Sequence, residues 1–319
     1  MKKTLPGAAA LVMTACLTWA AGSAQTAPQT VRLAIGYIPH VQFTPLYVGV
    51  DKGFYRDEGI DLQLSFGYQY DVFSLLAAGK IDIGLSDSDQ LIIAGSKGMG
   101  LQAIFQYYQE YPVTVVAKSD VVATPADLKG KTIGTPELSG SSYIGLQLFL
   151  EKYGLLKDVK VEKIGYTQEA TLLSGRADAV VCFYNNEPVL LRSENVAISQ
   201  WDVKDFSDMV GASFISSQSI IAAKGGVLAR FVRATRKAMA YTIDHRDEAM
   251  KIAEKNVGNV QKADEPLFRA RLDATCALFG TAAQYGVLDV ARYTRSITEL
   301  AALGLITATY PAQTILKPL

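Results

Sequence analysis

From residue 31 onward the chain alternates short apolar runs with stretches of helical period, and it does so twice. The first series predicts strands over 31–38, 60–66, 81–85 and 101–107, with helices over 43–56, 72–78 and 89–94 between them. Order of this kind requires a largely parallel sheet with helices on both faces, because parallel neighbours can only be joined by a crossover. A strand over 113–117 and a short turn and helix within 124–130 lead into the second series. That series predicts strands over 132–135, 159–164 and 177–183 and helices over 142–153 and 169–173. One more strand is predicted over 213–223, after which the chain is almost wholly helical, with amphipathic runs near 227–256, 264–279 and 288–303.

Two stretches, LLAAGKIDIGLSDSDQLI (75–92) and LLSGRADAVVCFYNNEPVL (172–190), share one plan. Each has a helix ending at Gly-Lys or Gly-Arg, then x-Asp, a short apolar strand, a polar corner and a new apolar helix. The chain's 319 residues exceed a single small core. Two similar lobes, each using the shared unit once, are therefore expected.

The amino terminus reads as a signal peptide over 1–24. Lys2 and Lys3 precede an apolar stretch over 5–21, and the small residues Gly22, Ser23 and Ala24 suit cleavage before Gln25. Met13-Thr14-Ala15-Cys16 loosely resembles a lipoprotein box, which leaves a lipid-anchored form as the alternative to a free exported one. No later run has the ~18 consecutive apolar residues of a spanning helix. Lys+Arg and Asp+Glu are both 31, with no basic block, so nucleic acid and anionic membrane are not expected partners. Beyond the signal only Cys182 and Cys276 remain, expected as buried free thiols in different lobes.

In an open α/β sheet a ligand lies beyond the carboxyl ends of the strands. Five corners there share a composition: 36–40, 87–90, 107–111, 139–143 and the stretch CFYNNEPVLL (182–191). Rings come from Tyr37, Phe43, Tyr108, Tyr143 and Tyr184, and edge-reading polar groups from Gln42, Asp87, Asn186 and Glu187. Ser139, Ser141 and Ser142, at a helix start, suit hydroxyls or a small anion. Each has a plainer reading: Asn186, Ser139, Ser141 and Asp87 suit helix starts, and Tyr107, Tyr108 and Tyr111 suit packing. His40 and His245 are the two histidines, and no Gly-x-Ser-x-Gly elbow, phosphate loop or paired Cys/His metal spacing occurs. No catalytic residue, metal or cofactor is expected.

Gly36-Tyr37-Ile38-Pro39-His40-Val41-Gln42-Phe43-Thr44-Pro45-Leu46-Tyr47, followed by Lys52-Gly53-Phe54-Tyr55-Arg56-Asp57-Glu58-Gly59, resembles the first lobe of ABC-transporter substrate-binding proteins related to thiamine-pyrimidine synthases and alkanesulfonate-binding proteins. Asp127-Leu128-Lys129-Gly130-Lys131-Thr132-Ile133-Gly134 and Asn185-Asn186-Glu187-Pro188 extend the likeness into the second lobe. The Gly-Tyr-Ile-Pro…Val-Gln-Phe form is most similar to the riboflavin-binding branch, with the thiamine-pyrimidine-binding branch next.

The resemblance implies an α/β, two-lobed periplasmic-binding-protein type II fold hinged on two crossing strands, around 112–119 and 213–223. Lobe one is then 30–115 plus 222–319, and lobe two 116–221. It also implies a monomeric receptor that takes a small flat heteroaromatic molecule and docks on an ABC permease driven by a cytoplasmic ATPase. The synthases of the superfamily carry a cysteine-rich motif, and here Cys182 stands alone. A synthase-like enzyme using a pyridoxal-type cofactor, and a receptor for a sulfonate or other small anion, are the competing readings. None of the five corners carries the Arg or Lys that an anion would call for.

Overall fold

The computed structural model describes Met1 and residues 27–67, 71–258 and 261–319, so the expected signal peptide lies outside the described residues apart from Met1. Among the described residues ten strands form two sheets. β1 (Gln29–Ile35), β2 (Ile60–Phe66), β3 (Ile83–Asp87) and β4 (Leu101–Gln106) are followed by β5 (Val113–Lys118), β6 (Thr132–Thr135), β7 (Lys160–Lys163), β8 (Ala179–Phe183), β9 (Ile198–Asp202) and β10 (Ala212–Ser217). The helices are α1 (Thr44–Asp51), α2 (Phe54–Asp57), α3 (Val72–Ala77), α4 (Ser88–Ser96), α5 (Gly140–Lys152), α6 (Gln168–Leu173), α7 (Glu187–Ser193), α8 (Gln218–Asp244), α9 (Arg246–Val257), α10 (Glu265–Ala277) and α11 (Val290–Ala302).

The strand orders are β2-β1-β3-β10-β4 and β7-β6-β8-β5-β9. In each sheet the first three strands are parallel, and the fourth runs antiparallel to both of its neighbours. That fourth strand is exchanged: β5 follows β4 in sequence but lies in the second sheet, and β10 returns to the first. The molecule is therefore a two-lobed α/β protein of the periplasmic-binding-protein fold.

The repeated unit falls on α3-β3-α4 and α6-β8-α7, the same place in both sheets. Its x-Asp has one physical role in each. Asp82 accepts the backbone N–H of Arg32 at 2.9 Å, and Asp178 accepts that of Thr132 at 2.9 Å, fastening the strand entry to its parallel neighbour. The preceding basic partners differ, with Arg32 and Lys224 on Asp82 and Lys131 on Asp178.

Several boundaries differ from expectation. The helix expected over 43–56 is split into a 3-10 turn at Val41–Phe43, α1 and α2, with Gly53 at φ 74° making the break. The strand expected over 213–223 ends at Ser217, whose hydroxyl accepts the Ile220 N–H and starts α8. The run near 227–256 is two helices parted at His245. β9 was not foreseen, since this half-buried edge strand lacks a continuous apolar pattern.

Sheet membership also moves the crossings. The chain passes between sheets at 107–112 and 203–211: β5 lies wholly in the second sheet, where a boundary at 116 would divide it, and β10 lies in the first sheet, although the expected second lobe, 116–221, includes it. Cys182 and Cys276 are buried free thiols, on β8 and α10. Among the described residues no helix is long and apolar enough to cross a membrane.

Candidate functional site between the sheets

The carboxyl ends of β1, β3, β4, β6 and β8 converge on a cavity of about 530 Å³, within the usual range for small-molecule sites. Tyr37, Gln42, Phe43, Asp87, Tyr108, Ser139, Ser141, Ser142, Asn186 and Glu187 all line it.

The aromatic wall belongs to the first lobe. Tyr107 donates its hydroxyl to the Gln42 carbonyl at 2.7 Å and Tyr108 donates to Gln42 Oε1 at 3.1 Å, so the main chain and the side chain of Gln42 in this 3-10 turn are both pinned. The Tyr107 and Tyr108 rings lie 4.9 Å apart, and Tyr108 stacks on Phe279 at 5.9 Å. Phe43 packs at 5.9 Å from Phe66. Such rings are rigid and lose little freedom when a flat ligand lands on them.

Behind this wall Asp87 and Asp89 stand two residues apart at the start of α4. Asp89 is fully buried and accepts from Tyr111 at 2.7 Å and from Ser141 Oγ at 2.8 Å. Since Ser141 belongs to α5 of the second lobe, this carboxylate ties the lobes together. Burial pushes both carboxyl groups upward, and for Asp87 the charge of Asp89 adds to the effect.

A proton retained in the fold but released in the unfolded chain stabilises fully below about pH 4, the ordinary carboxylate range, and is lost as pH rises through the folded titration. Ligand-free protein is thus expected to lose up to about 1.4 kcal/mol per pH unit above that point for one proton. Asp87→Asn should flatten this slope in thermal unfolding from pH 4 to 8. An identical slope in the variant would rule Asp87 out as its source.

The polar wall belongs to the second lobe. Asn185 is buried and donates Nδ2 to Thr275 Oγ1 of α10 at 2.9 Å. Asn186 stands at the N-cap position of α7 without capping it, since its side chain makes no cap bond. Its Nδ2 donates instead to Glu187 Oε1 at 3.3 Å, and the Phe183 N–H reaches Glu187 Oε2 at 3.3 Å. Burial pushes the Glu187 carboxyl up. Two oxygens, Asn185 Oδ1 and Asn186 Oδ1, are buried with no hydrogen-bond partner among the described residues. Each is an acceptor whose desolvation is uncompensated until a donor reaches it.

Two expected residues fall outside the lining. Tyr184 turns its hydroxyl to the Ala274 carbonyl of α10 at 2.7 Å, so it joins the lobes and does not face the cavity. Tyr143 follows Ser141 and Ser142 on α5, and helical rotation carries it off the lined face. The caps expected at Ser139 and Asp87 make no side-chain cap bond either.

The sequence reading missed Tyr166 and Gln168, which line the cavity just beyond β7. Their signal was available, because that corner follows a predicted strand like the other five. Arg271 carried none: it sits inside α10 and reaches the cavity's margin from a helix. His40 caps the 3-10 turn through Nδ1 and is held uncharged, its pKa pushed down to about 4, first by burial and then by the charge of Arg271. Among the described residues no group of three or more His, Cys, Asp or Glu is placed to hold a metal ion.

Two lobes with exchanged strands, and a cavity lined from both, define the fold of the periplasmic binding proteins. The alkanesulfonate-binding protein SsuA of Xanthomonas axonopodis, solved with MOPS, shares the fold at TM-score 0.70 and 16% identity, covering 92% of this chain and 99% of that one. The model of the family described as NMT1/THI5 like matches residues 40–249, and the chain belongs to that family. Among its relatives is the riboflavin-binding protein RibY of Chloroflexus aurantiacus, 30% identical over 92% of this chain and 86% of that protein. The formylaminopyrimidine-binding protein of Halalkalibacterium halodurans is 30% identical over 82% of this chain and 79% of its own length.

Proposed function

We propose that the protein is the extracytoplasmic substrate-binding receptor of an ABC importer, and that its ligand is a flat heteroaromatic vitamin or precursor, a flavin or a thiamine pyrimidine. The observation that carries the reading is the division of labour across the cavity. The packed wall of rings, Tyr37, Phe43, Tyr107 and Tyr108, comes from the first lobe, and the unpartnered amide oxygens of Asn185 and Asn186 come from the second, beside Tyr166 and Phe183. A ring laid on Tyr108 and Phe43 presents its edge to those oxygens, and ring N–H or amino groups satisfy them. Only a closed cleft offers both contacts at once, so differential affinity for the closed state drives the population shift, and no bond is made or broken. The closed monomer then docks on a permease powered by a cytoplasmic ATPase, and a signal over 1–24 directs export. The names borne by the two 30% identical relatives support a receptor over a synthase-like enzyme.

A thermal-shift panel of riboflavin, formylaminopyrimidine and an alkanesulfonate tests the reading. A ligand that binds only the folded protein stabilises it by about 2.7 kcal/mol at a hundredfold excess over Kd. Riboflavin or the pyrimidine is expected to raise the Tm. A rise with the sulfonate alone would replace this proposal with an anion receptor.

A further inference from the structure

Beside the main cavity opens a second one of about 340 Å³, sharing Tyr37, Tyr166, Gln168, Asn186 and Glu187 with it. Its far side is built from the start of α6, with Glu169, and from Arg271 on α10. The Arg271 Nε is buried and has no hydrogen-bond partner among the described residues. A guanidinium is a set of fixed donors with no acceptor, and leaving one unused in a partly dry place is costly. A ligand group that accepts there gains what the protein alone does not supply.

The chemistry of that group follows from the surrounding charges. Glu187 and Glu169 line the annex together with Arg271, so its one cation is set among two acidic side chains and the annex holds no surplus positive charge. A phosphate ester, with a charge of about −1.5 to −2 near neutral pH, would be set against both carboxylates. A hydroxyl meets no such repulsion. It accepts from Arg271 while donating to a carboxylate or to Asn186 Oδ1, and a chain of hydroxyls can repeat this along the annex.

We propose that the annex binds a neutral polyhydroxylated chain carried by the flat ring in the main cavity, and that it turns away the phosphorylated form of the same chain. The assignment rests on the ring reading above and narrows it to flavin-like ligands.

Calorimetric titration with three probes tests it: lumichrome, the bare ring; riboflavin, the ring with its neutral polyol chain; and flavin mononucleotide, the phosphate ester of that chain. Riboflavin is expected to bind at least tenfold more tightly than either of the others. Arg271→Ala should collapse the ratio of riboflavin to lumichrome affinity toward one. Glu169→Gln, at a half-exposed position that folding tolerates, should bring flavin mononucleotide several-fold closer to riboflavin. Equal affinities for lumichrome and riboflavin, or for riboflavin and its phosphate, would overturn the annex while leaving the ring reading intact. So would unaltered discrimination in both variants. If none of the three compounds binds, the flavin reading falls, and the annex assignment falls with it.

Discussion

Gly211→Ala is expected to destabilise the protein by about 3 kcal/mol or more, which at this chain length lowers the Tm by about 6 °C or more. A methyl group there meets the main-chain carbonyls of Tyr108 and Glu110, the second at 2.6 Å, and backbone cannot swing aside as a side-chain tip can. The site is the place where the two crossings touch. Gln106 Nε2 lies within hydrogen-bond reach of the carbonyls of Tyr108, Gly211 and Ala212 at 2.9, 3.0 and 3.1 Å, and the N–H groups of Tyr107 and Tyr108 both point at Ala212 O. Forcing the strands apart therefore breaks several buried hydrogen bonds together and tilts the aromatic wall that Tyr108 supplies. Gly225→Ala is the control: a methyl group meets nothing within 4 Å there, and stability should hold or rise slightly. Thermal unfolding of both variants decides the matter. A Gly211→Ala midpoint within 2 °C of wild type, on the scale that small surface changes produce, would show that the crossing repacks without strain.

Asn186→Ala should move binding and stability in opposite directions. Ligand affinity is expected to fall ten- to a hundredfold, the cost of about 1–3 kcal/mol for one polar partner lost in a desolvated site. The ligand-free protein should be no less stable than wild type, because the deleted oxygen has no donor among the described residues and its amide makes only a 3.3 Å bond to Glu187. Calorimetry with whichever of riboflavin and formylaminopyrimidine the thermal panel retains, beside a denaturation curve, measures both effects. Equal losses of affinity and stability would recast Asn186 as a structural residue. This divergence is what separates a residue kept for its ligand from one kept for the fold.

The arrangement of the site explains why the affinity effect should be large. Buried acceptors on one lobe and a prepacked aromatic wall on the other leave few groups to order when the ligand arrives, so most of the contact energy is realised as binding. Closure is also supported without ligand, since Asn185 to Thr275, Tyr184 to Ala274 and Ser141 to Asp89 each bridge the lobes. These contacts bias the resting population toward the arrangement that the ligand completes.

Periodicity and local chemistry made much of this legible beforehand. Apolar runs of two distinct periods gave the two α/β series, because a strand or helix must turn its apolar side inward wherever it ends up. The shared unit gave the two like halves, down to the Asp82 and Asp178 carboxylates that anchor neighbouring strands. The corners were legible for the same reason: a polar, ring-bearing turn directly after a buried strand has few purposes in an α/β sheet.

What tertiary structure alone decided is direction and company. Whether Tyr184 faces the cleft or α10, whether Tyr143 follows Ser142 inward, and where β10 leaves off and α8 begins depend on contacts between residues far apart in the chain. Arg271 is the clearest case, since it is brought to the cavity by the docking of α10 against α7 and by nothing in its own neighbourhood. Local sequence encodes what each segment can be, through short-range sterics and burial. Which of its side chains meet a ligand is set by long-range packing, a sum over partners that no single stretch contains.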